Sequence, residues 1–258
     1  EDYSGYSDWW FGQIEGDDSY NELIIGRFSV ESVADVNTHV EKVIHYERDI
    51  NANDTWLTVG QGVSHKEGSA GHNGEDDYQH IDKIRDDLLN YNYTSVHRDY
   101  SNVSGVTSSA AMISEQINAG VSFINYCNHG YPTGWGVYNY NNSYVNALTN
   151  DNKLPFIISV ACNNGEYTYY QQPCFAEAWM RATNNTTGEP TGAIGGMFSY
   201  ISQPWTPPMY GQDEMIDILV ESKANNIKRT AGGVCLNGNM KILDLGSNND
   251  AYKATYNT

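Results

Sequence analysis

The chain has 258 residues, with 32 acidic against 14 basic side chains, a formal net charge of −18 and a pI near 4.5. That length suits one large domain or two small ones with a real hydrophobic core. The charge leaves no basic face for nucleic-acid phosphates, and no apolar run reaches membrane-spanning length or follows a signal-peptide layout. An acidic surface instead suits solubility, salt tolerance, calcium or cationic substrates.

Strands and helices are predicted to alternate along the chain. Residues 22–28 read as a strand, and 33–46 as an amphipathic helix with apolar positions at Val33, Val36, Val40, Val43 and Ile44. A strand over 56–60 leads into a polar, Gly-rich loop over 61–75. A helix over 77–90 then carries Ile81, Ile84 and Leu88, and 95–100 forms a short strand. A helix follows over 108–119, with Ser108 and Ser109 as cap candidates. Two apolar strands, 121–126 and 155–161, flank a short helix near 144–148. Beyond them come a helix over 175–182, a strand over 192–199 and a helix over 211–221. The tail, 231–258, patterns poorly and reads as an edge segment or a frayed end. The alternation implies an α/β fold with a mostly parallel sheet in a three-layer α/β/α sandwich. No internal repeat, low-complexity tract or linker divides it.

Four cysteines, Cys127, Cys162, Cys174 and Cys235, are too scattered for a disulfide scaffold and lack zinc spacing. The 20 tyrosines, with many Asn and Gly and few Lys, favour an extracellular protein. The opening Glu1-Asp2-Tyr3 has no Met and reads as a processed or truncated start.

The chemistry is predicted at two strand ends. The run over 155–161 ends on Cys162, and 121–126 leads to Cys127-Asn128-His129-Gly130. In an open parallel sheet, side chains at neighbouring carboxyl ends share one crevice. A thiol needs a base to become a thiolate, and His129 can serve. Taken alone, Cys162 reads as a small apolar residue closing a core strand, and His129 as a satisfied histidine. Together, with Gly130 able to offer its N–H to an oxyanion beside that of Cys162, they point to acyl transfer. Glu67 is the carboxylate best placed to orient the imidazole.

The strings GQIEGDDSYNELIIGRFSVES, HYERDI, SHKEG, NGEDDYQH, NHG, TNDNKLPFIISVACNNGE, QPCFAEAWMRA, PMYGQDEM and NNIKRTAGGV occur in this order over roughly residues 12–239. The chain thereby resembles the catalytic domain of the gingipains, peptidase family C25, and most closely their arginine-specific members. The resemblance implies a caspase-like fold and a secreted or cell-surface cysteine endopeptidase of a bacterium of the Bacteroidota type. Its substrates would be proteins and peptides with Arg at P1. Position by position it implies Cys162 as nucleophile, His129 as general base, Glu67 as the orienting acid, and Gly130 with Cys162 as the oxyanion hole. It further implies Asp77 at the bottom of the S1 pocket, Trp205 as its aromatic lid and Met209 as a wall. A buried carboxylate suits a guanidinium, and an indole face adds cation–π attraction. Read without the resemblance, Asp77 is a helix N-cap or first-turn acid.

The same resemblance implies structural calcium, with Asp18, Glu22, Glu75 and Glu177 as candidate ligands. Two departures stand out. Tyr131-Pro132-Thr133-Gly134-Trp135 replaces a Ser-Glu-Thr-Ala-Trp string, and the stretch between Glu67 and Asn73 is one residue short, which leaves Asp76 as an alternative S1 acid. Against the family pattern, residues 1–258 would lack most of a first subdomain, a last strand and an immunoglobulin-like module. That implies a second chain, or a missing segment of the same precursor, as partner. Two other functions are compatible with the residues: a transpeptidase of the sortase kind, and a non-catalytic surface module on the same scaffold.

Overall fold

The computed structural model describes residues 6–67, 71, 73–246 and 249–257. The opening Glu1-Asp2-Tyr3 and part of the loop expected over 61–75 lie outside them. In chain order the helices are α1 (Val33–Arg48), α2 (Asp77–Asn90), α3 (Ala110–Ala119), α4 (Asn142–Val145), α5 (Phe175–Arg181), α6 (Thr206–Leu219), α7 (Ala231–Gly246) and α8 (Asp250–Asn257). The strands are β1 (Val59–His65), β2 (Ser95–Ser101), β3 (Phe123–Cys127), β4 (Gly130–Tyr131), β5 (Gly134–Trp135), β6 (Phe156–Val160) and β7 (Gly195–Phe198).

Five strands form one parallel sheet in the order β2-β1-β3-β6-β7, and β4 with β5 makes a small antiparallel hairpin. Both faces of the sheet are covered, so its strands are apolar on both sides. In β3 the alternation is direct: Ile124 and Tyr126 pack with Ile113 and Ile117 of α3 and Trp179 of α5, while Phe123 and Cys127 pack with Ile81 and Ile84 of α2 and Ile216 of α6. The expected three-layer sandwich is the observed architecture. Among the described residues no helix is long and apolar enough to cross a membrane.

The strand expected over 56–60 begins later, after a 3-10 turn over Thr55–Thr58, and as β1 runs on to His65 through the stretch read as the start of a loop. Three further local expectations differ from the structure. Residues 22–28 form no strand; instead of a ladder partner, Glu22 and Leu23 donate their N–H groups to Gly12 O. Helix α1 forms, capped by Ser32 and Asp35, but its apolar stripe faces outward: Val33 is 77% exposed, and Val36, Val40 and Ile44 are exposed too. Its buried side holds Thr38, His39 and Lys42. The Lys42 ammonium donates to the carbonyls of Trp179, Met180 and Ala193 at 2.8–3.1 Å, two of them in the last turn of α5. A cation at a helix carboxyl end is favoured by orphan carbonyls and by the dipole. Third, the tail is helical. Helix α7 carries several glycines, poor helix formers. A methyl group on Gly238 would come 2.1 Å from Met215 Cγ and 3.0 Å from Gly211 O. Close packing of α7 on α6 therefore needs the residue that propensity counts against.

Candidate active site

Register brings the reactive residues level. Strands β3 and β6 pair with Cys127 opposite Val160, so His129 and Cys162 each lie two residues past a matched pair. Asn128 N–H continues the ladder by donating to Val160 O at 3.2 Å. On the other side Ser64 of β1 faces Cys127, and Glu67 follows three residues later. Three neighbouring carboxyl ends thus deliver one acid, one imidazole and one thiol to the same edge.

His129 Nε2 and Glu67 Oε1 are 3.0 Å apart, which leaves Nδ1 as the ring nitrogen not held by the acid. Burial raises the Glu67 carboxyl, but hydrogen bonds from Asn128 and His129 bring it net below its ordinary range. Tyr126 Oη donates to His129 O at 2.6 Å and fixes the histidine backbone. Cys162 is half-buried, its thiol donating to Gln203 O at 3.8 Å. Burial pushes this thiol above its usual pKa, while backbone hydrogen bonds work the other way. It therefore rests as a thiol until a base removes the proton.

Gly130 is required by close approach. A methyl group there would come 2.7 Å from Ala161 Cβ and 2.8 Å from Cys162 O. Behind it, buried Asn164 donates to Tyr131 O at 2.8 Å and Gly134 O at 2.9 Å, and accepts from Ser159 Oγ at 2.9 Å. One amide thereby ties the β4–β5 hairpin to the turn after Cys162.

Asp77 opens α2, with Asp76 as the N-cap. Its side chain does not cap the helix. It is fully buried, and accepts from Trp205 Nε1 at 3.0 Å and Asn128 Nδ2 at 2.8 Å. Asp76 instead uses its N–H toward Gln79 in the first turn of α2. Burial raises the Asp77 carboxyl, and the two donors offset part of that rise. Trp205 precedes Pro207 and Pro208, which the first turn of α6 tolerates because no N–H is needed there. Its ring stands edge-on to His129, centroids 4.9 Å apart.

The cavity between these groups, lined by Asn128, His129, Cys162, Gln203 and Trp205 among others, holds about 30 Å³. A larger one of about 460 Å³, reached by Phe28, Phe156 and Met197, includes neither Cys162 nor His129. Met209 lines neither cavity; it is wholly buried beside Met215 and Ile216 in the core under α6.

The four expected calcium ligands lie in three separate segments, Asp18 with Glu22, Glu75 before α2 and Glu177 in α5, and among the described residues no three His, Cys, Asp or Glu side chains form a metal-binding group. Glu177 accepts from Ser29 at 2.5 Å, Arg181 at 2.7 Å and Cys174 N at 2.8 Å. Glu75 pairs with Lys83 at 3.1 Å and accepts from Asn73 N at 2.8 Å. Both carboxylates face a protein cation. Asp18 accepts from Tyr20 N, and Glu22 from Ile14 N and Glu15 N; among the described residues their second oxygens have no partner.

Asn128, Tyr126, Asn164 and Gln203 complete the site but were not singled out from the sequence. The only signal was proximity: Asn128 adjoins His129, and Asn164 lies two residues past Cys162.

Comparison with known proteins gives the chain its relatives. Gingipain R2 of Porphyromonas gingivalis is 46% identical over 239 residues, 92% of this chain and 32% of the relative. Gingipain R1 is 45% identical over 92% of this chain and 23% of its own length. The crystal structure of the Arg-specific cysteine proteinase gingipain R superposes with a TM-score of 0.90 at 43% identity, covering 98% of this chain and 56% of that one. The chain thus spans about a third or less of its curated relatives. The profile described as peptidase family C25 matches residues 2–258. This chain belongs to peptidase family C25.

Proposed function

We propose that the chain is the catalytic part of a cysteine endopeptidase that cleaves after arginine. The observation that carries this reading is the Glu67–His129 pair at 3.0 Å level with Cys162, with the buried Asp77 carboxylate next to it. The relatives support the specificity. Gingipain R2 is 46% identical and the matched gingipain R is an Arg-specific cysteine proteinase, whereas a Lys-gingipain reaches 26% over 68% of this chain.

In the mechanism, His129 takes the thiol proton and the Cys162 sulfur attacks the scissile carbonyl. The oxyanion is stabilised by the main-chain N–H groups of Gly130 and Cys162. Collapse breaks the C–N bond, and the imidazolium gives its proton to the leaving amine. A thioester remains; water attacks it with His129 as base, and the thiol is restored. Glu67 holds the ring throughout and stabilises its cationic form. A P1 guanidinium reaches Asp77 only if the Trp205 indole moves, since about 30 Å³ accommodates roughly one water. The displaced indole can then lie over the guanidinium plane.

The reading includes a bacterial extracellular or cell-surface location, which fractionation of the producing cell tests. Calcium is confined to Asp18 and Glu22 in this proposal and takes no part in the chemistry. A calcium-dependent rise in thermal stability that Glu22→Gln removes would support it.

The decisive experiment uses matched fluorogenic peptides with Arg or Lys at P1, and Cys162→Ala as control. Preference for Arg, with activity falling by on the order of 10⁴-fold or more in the variant, supports the proposal. Equal cleavage after Lys removes the Asp77 assignment. Aminolysis in place of hydrolysis, when an amine nucleophile is added, identifies a transpeptidase. No turnover of any peptide leaves a scaffold.

A further inference from the structure

Two carboxylates sit on one amide. Asn128 Nδ2 donates to Glu67 Oε2 at 3.1 Å and to Asp77 Oδ2 at 2.8 Å. Each acid uses its other oxygen elsewhere: Glu67 Oε1 on His129 Nε2, and Asp77 Oδ1 on Trp205 Nε1. The chain of contacts therefore runs indole, specificity acid, amide, orienting acid, imidazole. Asn128 is largely buried and directly follows β3, and its N–H continues the ladder to Val160 O, so its side chain is fixed at its root. An amide NH₂ has two hydrogens, one for each acid, and among the described residues no third acceptor competes for them.

We propose that Asn128 is a positioning residue that couples occupation of the Asp77 pocket by a P1 cation to the hold of Glu67 on His129. This rests on the reading of Asp77 as the P1 acid. In the free protein the two anions share one donor group and repel each other across it. A guanidinium at Asp77 neutralises one of them. The amide is then drawn less toward Asp77 and more toward Glu67, and the repulsion that loosens Glu67 is removed. Hydrogen-bonded networks of this kind transmit polarisation between their ends. The base is thereby best ordered when the correct side chain is bound, and specificity appears in kcat as well as in KM.

The test is a cycle of wild type, Glu67→Gln, Asn128→Ala and the double variant. Each is assayed on peptides ending in arginine or in citrulline, which keeps the shape and removes the charge. In the wild-type background Glu67→Gln should cost about five- to ten-fold more in kcat on arginine than on citrulline. In the Asn128→Ala background that difference should fall below about two-fold. A difference that persists without Asn128, or is absent with it, overturns the inference. If wild type does not prefer arginine, the reading of Asp77 falls first, and that outcome is distinct. Unfolding curves guard against a misfolded variant. A second readout needs no turnover: the shift of the His129 ring resonances on benzamidine binding should be larger in Cys162→Ala than in Cys162→Ala/Asn128→Ala, the ring-current change from the moving Trp205 indole being common to both; equal shifts overturn the inference.

Discussion

Trp205 donates its indole N–H to Asp77 Oδ1 at 3.0 Å, and the same ring stands edge-on to His129. The proposed specificity acid and the proposed base are thus covered by one side chain, which on that reading must swing aside for an arginine. Asp77 has its carboxyl raised by burial, with Asn128 and Trp205 as the donors that make the ion tolerable. Trp205→Phe keeps the ring and deletes a donor, so the Asp77 carboxyl should rise further. The acid limb of kcat/KM should then move to higher pH for arginine peptides and stay in place for citrulline peptides. A carboxyl with a raised folded pKa contributes stability that is present below its unfolded pKa and lost as pH rises through the folded value. Relative to Asp77→Asn, wild type should therefore lose stability across that interval, as read by urea unfolding.

Burial holds the Cys162 thiol above its usual pKa, and its hydrogen bond goes to a carbonyl, not to the imidazole. Alkylation of the free protein by iodoacetamide should rise about ten-fold per pH unit through neutrality, without a low-pH plateau. A plateau below pH 6 would mean that a thiolate–imidazolium pair exists before substrate binds.

Lys42 is buried, and burial pushes its amine down to about 7. In the folded protein it gives up its proton near pH 7, and in the unfolded chain only near the ordinary lysine value. Between the two the unfolded state binds more protons, so this residue makes stability rise with pH. Lys42→Met should abolish that rise. It should also lower stability by about 1–3 kcal/mol by depriving the carbonyls of Trp179, Met180 and Ala193 of their shared donor. Chemical denaturation at pH 6.5 and 9.5 measures both effects.

Gly238→Ala should destabilise by about 1–3 kcal/mol despite the better helix propensity of alanine, because its methyl would meet Met215 and the backbone of Gly211. A rise in Tm would show that α7 can move away from α6.

Asn164→Ala should lower kcat by about 10²-fold while leaving most of the fold intact, since a displacement of about 1 Å at a reacting group has that effect. Asn164 joins the hairpin backbone at Tyr131 and Gly134 to the turn behind Cys162. An unchanged kcat, with normal folding, would show that the hairpin holds its position without it.

Much of the sheet was legible in the chain because periodicity is local. The runs ending on Cys127 and Cys162 are apolar on both faces, and the helix over 77–90 carries its apolar stripe where the sheet lies. The motifs also located Cys162, His129, Glu67 and Asp77, and the structure brings all four to one edge. Where local pattern was followed further it misled. The stripe of α1 faces outward, residues 22–28 lack a strand partner, and the Gly-rich tail forms two helices.

What the sequence by itself determined is the alternation of strands and helices, the strand ends on which the thiol and imidazole stand, and the family. Each depends on residue order and side-chain type alone. Tertiary structure decided the rest. It showed that Asn128 serves two carboxylates, that Trp205 closes on Asp77, that Met209 is core, and that Glu75 and Glu177 are occupied by Lys83 and Arg181. The reason is physical: hydrogen bonds and ion pairs between side chains far apart in sequence follow from strand register and helix packing. No window of neighbouring residues contains either.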